Sequence, residues 1–138
     1  MGSDSACEGV IECTALVLAE GCSELDDRIT LFGILDELKF GDGELSFVVY
    51  AKFEGCEHAG GEERRAKILV TDEEGEVLEE TDEYPIWIDG EEGSASIVAT
   101  FALDVPQRTE ERLLWVEAEL DEETLAPTAI PLRERYNV

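Results

Sequence analysis

Leu45-Ser46-Phe47-Val48-Val49-Tyr50-Ala51-Lys52-Phe53 decides the fold class of this 138-residue chain. Leu45, Phe47, Val49, Ala51 and Phe53 recur at every second position, the period at which side chains share one face of a β-strand. Ser46, Tyr50 and Lys52 lie on the opposite face. Ala95, Ile97, Ala99, Phe101 and Leu103 repeat the pattern against Ser94, Ser96 and Thr100. Ala66, Ile68 and Val70 against Arg65 and Lys67 give a third half-buried strand, and Leu114, Val116, Ala118 and Leu120 against Glu117 and Glu119 give a fourth.

Two earlier segments, Cys13 to Glu20 and Ile29 to Leu35, are apolar on both faces, the expected form of central strands in a packed sheet. Gly33 within the second predicts a bulge or a close backbone approach. Gly41-Asp42-Gly43, Glu73-Glu74-Gly75 and Asp89-Gly90-Glu91-Glu92-Gly93 are turn signals, because glycine supplies the positive φ of a tight reversal. Pro127 and Pro131 remove backbone donors, which puts the last strand, near Leu125 to Leu132, on an edge or interrupts it. With a short strand from Tyr84 to Ile88 the count is about eight. The chain is therefore read as all-β, a two-sheet antiparallel β-sandwich of jelly-roll or C2-like type. One domain spans 13–138 behind an N-terminal arm, 1–12. The stretches 55–63 and 105–111 are the longest loops.

Charge bounds the function. Thirty-five Asp and Glu against ten Lys and Arg leave a net charge of -25, and such a surface repels phosphate backbones and anionic lipid heads. Direct binding of nucleic acid or a membrane is not expected. Hydrophobic residues still make up 43% of the chain, enough apolar material for a core, unlike acidic disordered sequences. Lys39, Lys52 and Lys67 are the only lysines, a balance suited to high salt. Met1 to Ser5 lack the basic and apolar runs of a secretory signal, and no apolar stretch is long enough to span a bilayer. Cys7, Cys13, Cys22 and Cys56 form no C-x-x-C pair. Free thiols and a cytoplasmic location are the expectation.

No catalytic or cofactor-binding residue stands out, and no cofactor is expected. Cys56 and His58 are a weak metal candidate, since thiolate and imidazole bind zinc but paired ligands at short spacing are missing. Asp72 and Asp89, in acidic turns, could offer oxygen ligands to calcium, though neither turn has an EF-hand pattern. Asp26 and Asp27, with Glu20 and Glu24, read as solubilising charge of a hairpin turn. Trp87 and Trp115, with Tyr50 and Tyr84, lie on strands of ambiguous facing. An outward Trp115 beside the basic cluster Arg64, Arg65 and Lys67 would mark a partner surface. Arg133 and Arg135 form a second basic pair, and Cys7 on the arm could cross-link an assembly.

Ala15-Leu16-Val17-Leu18-Ala19, a polar turn, then Arg28-Ile29-Thr30-Leu31-Phe32-Gly33-Ile34-Leu35 resembles the opening hairpin of a bacterial family of small β-sandwich proteins catalogued as a domain of unknown function. Leu114 to Leu120, followed by Leu125-Ala126 and Pro131-Leu132, is similar to its closing hairpin. The resemblance implies a sandwich from Cys13 to Leu132 and no catalytic residues. The expected function is a noncatalytic protein-binding or self-assembly module acting on a protein partner or another copy. The alternatives are an acidic DNA mimic and a metal-dependent hydrolase using loop carboxylates or Cys56 and His58.

Self-repulsion among so many carboxylates opposes folding and is screened by salt. The melting temperature should therefore rise between low and molar salt in a thermal melt; a salt-independent value would show that repulsion is not a significant cost.

Overall fold

The computed structural model describes residues 11–40, 44–55, 63–88, 93–104 and 111–134. Ten strands follow one another: β1 (Ile11–Leu25), β2 (Arg28–Ile34), β3 (Leu38–Phe40), β4 (Glu44–Gly55), β5 (Glu63–Thr71), β6 (Val77–Glu80), β7 (Tyr84–Trp87), β8 (Ser94–Asp104), β9 (Arg112–Leu120) and β10 (Glu123–Glu134). One sheet has the order β2-β1-β4-β8; the other runs β3-β10-β9-β5-β6, with β7 also pairing β5. The all-β sandwich read from the sequence is what forms. Its order, β1-β4-β8 facing β10-β9-β5, is of immunoglobulin type, which refines the jelly-roll or C2-like alternatives. Alternation identifies strands but does not order them. Every pairing is antiparallel except β3 with β10, which run parallel from Leu38↔Leu132 to Phe40↔Glu134.

The facing of the four diagnostic strands is as their alternation requires. Phe47, Val49, Ala51 and Phe53 are buried on β4, and Ile97, Ala99, Phe101 and Leu103 on β8. Ala66, Ile68 and Val70 on β5 and Leu114, Val116, Ala118 and Leu120 on β9 close the core from the other sheet. Phe47 and Phe101 are direct cross-strand partners whose rings stack at 5.6 Å between centroids. Such a pair adds about 0.5–1.5 kcal/mol to its burial. The two strands absent from the sequence reading, β3 and β6, have three and four residues, too short to display a period.

Two further expectations concern backbone geometry. Gly33 has φ +64°, the β1–β2 ladder skips from Ala19↔Ile34 to Gly21↔Phe32, and a Cβ on Gly33 would stand 2.8 Å from the Glu20 side chain. The close approach is present, while the register is the same on both sides of Gly33, so no residue is bulged out of the ladder. Pro127 and Pro131 lie where β10 is an outer strand, since β3 covers only its last three residues.

One expectation is corrected. β2 is an outermost strand, not a central one, and it is largely exposed. The β4 ladder ends at Ala19↔Val48, so the far end of the 15-residue β1, from Glu20 to Leu25, pairs with β2 alone. Phe32 and Ile34 are exposed on one face of β2 and Ile29 and Leu31 half-buried on the other, and none of them belongs to the core. The turn between them, Asp26 (φ 51°) and Asp27 (φ 63°), has two consecutive left-handed residues, the type I′ geometry that matches strand twist. Asp121 (φ 50°) and Glu122 (φ 70°) make the same turn between β9 and β10.

Replacing Phe47 by Ala removes a fully buried ring and its stacking partner's contact, so urea denaturation should show a loss of about 3–5 kcal/mol. A loss below about 1 kcal/mol would mean that the inter-sheet core is loosely packed.

Candidate functional site

The outer faces of the two sheets differ in chemistry. On the outer face of β5 the two cations are already paired within the chain: Lys67 Nζ lies 3.2 Å from Glu80, and Arg65 Nη2 lies 3.3 Å from Glu63. Arg64 bonds the Asp121 carboxylate. Trp115 is half-buried on this face, opposite Thr71 and Ala129, while Arg65 and Lys67 pair further along β5. Trp115, Arg65 and Lys67 thus share a face, but Trp87 is the outward tryptophan, 55% exposed beside Glu63 on β7. Arg133 pairs with Glu37 at 2.8 Å.

The outer face of the other sheet is apolar in its middle, between Lys52 and Glu54 at one end and Glu44 and Asp104 at the other. Ladder partners place Val17, Tyr50 and Val98 in one row and Ile34, Ala19, Val48 and Thr100 in the next. Phe32 follows, seated over Gly21, where a Cβ would meet the ring at 4.0 Å. No Asp or Glu interrupts these rows. At their margin the hairpin exposes Leu25 (73%), Phe32 (52%) and Ile34 (58%). Arg28 is the only charged side chain on β2, and among the described residues it has no carboxylate within ion-pair distance.

Outer strands are usually protected by Pro, Lys or Glu, or by a covering element. β6 carries Glu79 and Glu80, β7 carries Pro85, and β10 carries both of its prolines. β8 touches β6 and β7 of the opposite sheet. β2 has no Pro, Lys or Glu, and no strand among the described residues pairs with its outer edge. The signal was present in the sequence as an apolar strand pair joined by a two-residue acidic turn, but periodicity cannot separate two buried faces from two exposed ones.

The other candidates are placed as follows. Asp72 Oδ1 accepts the backbone amides of Glu74 and Glu76, each at 2.9 Å, which makes this carboxylate the organiser of the β5–β6 turn. Cys7, Cys56, His58, Asp89 and Arg135 lie outside the described residues. Among the described residues no group of three or more His, Cys, Asp or Glu is disposed to hold a metal. Cys13 and Cys22 are free. Cys13 borders an end cleft of about 610 Å³ with Ile11, Arg64 and Leu120. Burial pushes its thiol pKa up, the direction opposite to nucleophilic activation. Among the described residues no helix is long and apolar enough to cross a membrane.

The fold has counterparts among solved structures. The alkylpurine DNA glycosylase AlkC of Pseudomonas fluorescens, solved bound to DNA containing an abasic-site analogue, matches with a TM-score of 0.59 and 8% identity, over 94% of this chain and 35% of that one. A β-glucuronidase of glycoside hydrolase family 2 has a TM-score of 0.49 and 14% identity, over 70% of this chain and 10% of that one. The C-terminal domain of wzt has a TM-score of 0.46 and 15% identity, over 93% of this chain and 75% of that one. The chain thus spans about a third of the glycosylase and a tenth of the glucuronidase. At these identities the likeness is one of fold. No family model matches the chain, and no curated protein does.

Asp121 ties the β9–β10 turn to the start of β5, its Oδ1 accepting the Arg65 amide at 2.9 Å and its own amide reaching Arg65 O at 2.8 Å. Burial opposes its ionisation, but the bonds from Arg64 and Arg65 outweigh that and hold its pKa below the ordinary Asp value. A lowered folded-state pKa stabilises the fold above the unfolded value of about 3.9 and loses its effect as pH falls through the folded one. Asp121→Asn should therefore melt below wild type at pH 7, and the gap should close as pH drops below about 4. A gap that is independent of pH would assign the effect to turn geometry instead.

Proposed function

We propose that this domain is a noncatalytic, cytoplasmic protein-binding module that docks through the β1–β2 hairpin and the adjoining outer face of its sheet. One observation carries the reading: in a chain of net charge -25, the strand least protected against pairing is also acid-free and exposes Leu25, Phe32 and Ile34 around it. Exposed apolar surface costs solubility unless something covers it, and an open strand edge adds backbone hydrogen bonds to the attraction.

The partner surface is therefore moved from Trp115, Arg65 and Lys67 to β2, because the two cations already have carboxylates of their own. For the same reason Asp72, whose Oδ1 accepts two amides, gives little support to a metal-dependent hydrolase. A DNA mimic would be served by a continuous acidic face, and the middle of this sheet's outer face carries Val17, Tyr50, Val98, Ile34 and Phe32 instead of acids.

A photo-crosslinking amino acid placed at position 32 or at position 115, in the otherwise unchanged chain expressed in its native cells, tests the proposal. Adducts should form at 32 and be scarce at 115. Equal labelling at both positions, or none at 32, would overturn the proposal.

A further inference from the structure

Resting on that docking reading, we infer that the partner presents a basic amphipathic segment, and that this segment seats in the fork where β1 parts from β4. Up to Ala19↔Val48 the two strands are joined. Beyond that pair β1 continues with β2 alone, while Leu45 and Ser46 continue with β8. The chain leaving β2 crosses to the other sheet, where Leu38 begins the β3 ladder with β10. The Leu35 amide donates to Leu18 O at 2.8 Å, which ties the start of this crossing to β1. Between the parted strands and the crossing lies a cleft of about 560 Å³.

The lining of the cleft divides by chemistry. Ile34, Leu35 and Leu45 supply apolar surface, Ile34 being 58% exposed and the two leucines half-buried against the core. Glu20 and Asp36 supply carboxylates, and neither has an ion pair among the described residues. Glu37 differs, because Lys39 lies 3.7 Å and Arg133 2.8 Å from its carboxylate. Lys39, the cation of the lining, is therefore already paired. The Glu20 carboxylate lies against Gly33, where a Cβ would stand 2.8 Å from it. Glycine at this position is what allows Glu20 to reach across β2.

This division decides the occupant. A segment that covers Ile34, Leu35 and Leu45 also takes Glu20 and Asp36 out of water, and a carboxylate covered without a counter-charge is destabilising. An apolar segment alone leaves both unpaired, and an acidic one adds repulsion. A second copy of this chain brings a further net charge of -25. A segment with Arg or Lys on each side of an apolar residue meets both demands. Its apolar side chain enters between Ile34 and Leu45, and its cations pair with Glu20 and Asp36 while their aliphatic stems lie on the leucines. The field of the whole chain draws such a segment in, and the two unpaired carboxylates fix where it rests.

Fluorescence polarisation with the purified full chain at physiological salt tests the inference. The probe is a labelled hexapeptide alternating arginine and leucine. One control peptide has serine in place of leucine at the same charge, and another has glutamine in place of arginine. The probe should bind about tenfold more tightly than either control. Glu20→Gln combined with Asp36→Asn should weaken it by about tenfold. Glu74→Gln combined with Glu76→Gln removes the same charge from the β5–β6 turn of the other sheet and should change binding by less than about twofold. All four carboxylates are on exposed residues, so both double variants should keep the circular dichroism of the wild type. Equal weakening by the two double variants would overturn the inference, because attraction would then follow net charge alone. A serine peptide that binds as well as the probe, or a probe that does not bind, would overturn it too. In any of these cases, adducts at position 32 would keep the docking reading intact, and their absence would remove both.

Discussion

The ladder between β1 and β4 is the constraint on which the rest of the domain depends. β4 is an interior strand of its sheet: eleven of its residues pair with β8 on one side, and on the other it holds β1 from Ile11↔Gly55 to Ala19↔Val48. Its inward residues Phe47, Val49, Ala51 and Phe53 meet β5 and β9 across the core. Where this ladder stops, β4 continues into the core through Phe47 with β8 alone beside it in the sheet. β1 does not stop there, and its continuation becomes a two-stranded extension with an exposed apolar surface. A single two-stranded hairpin is only marginally stable in water, which is a physical reason for such an extension to be completed by a further strand.

Much of the architecture was legible in the sequence because it rests on alternation. The four strands with clean period two were assigned the correct faces, and Gly33 was recognised from its position within an apolar run. Strand order was not legible, since pairing is decided by contacts between residues far apart in the chain. The parallel seam between β3 and β10 is an example: three residues give no pattern, yet they bridge the two sheets' margins by following directly on β2.

The candidate site was legible in its residues but not in its meaning. Ile29, Leu31, Phe32 and Ile34 read as interior because the two faces of their strand are apolar. What makes them surface is geometric: β1 outruns β4 by six residues, from Glu20 to Leu25. The simplest reading of Arg65 and Lys67, a basic cluster balancing neighbouring acids, is what forms, with Glu63 two residues away on the same strand and Glu80 on the short β6 as the partners. In a chain so rich in carboxylates the informative feature is where they are missing, and that is along β2.

Backbone hydrogen exchange of the purified chain, read strand by strand, tests most directly whether β2 is an open outer strand beyond the core. Amides of β2 should exchange rapidly, while those of β4 and β9 stay protected. Protection of β2 as high as that of β4 would contradict the account.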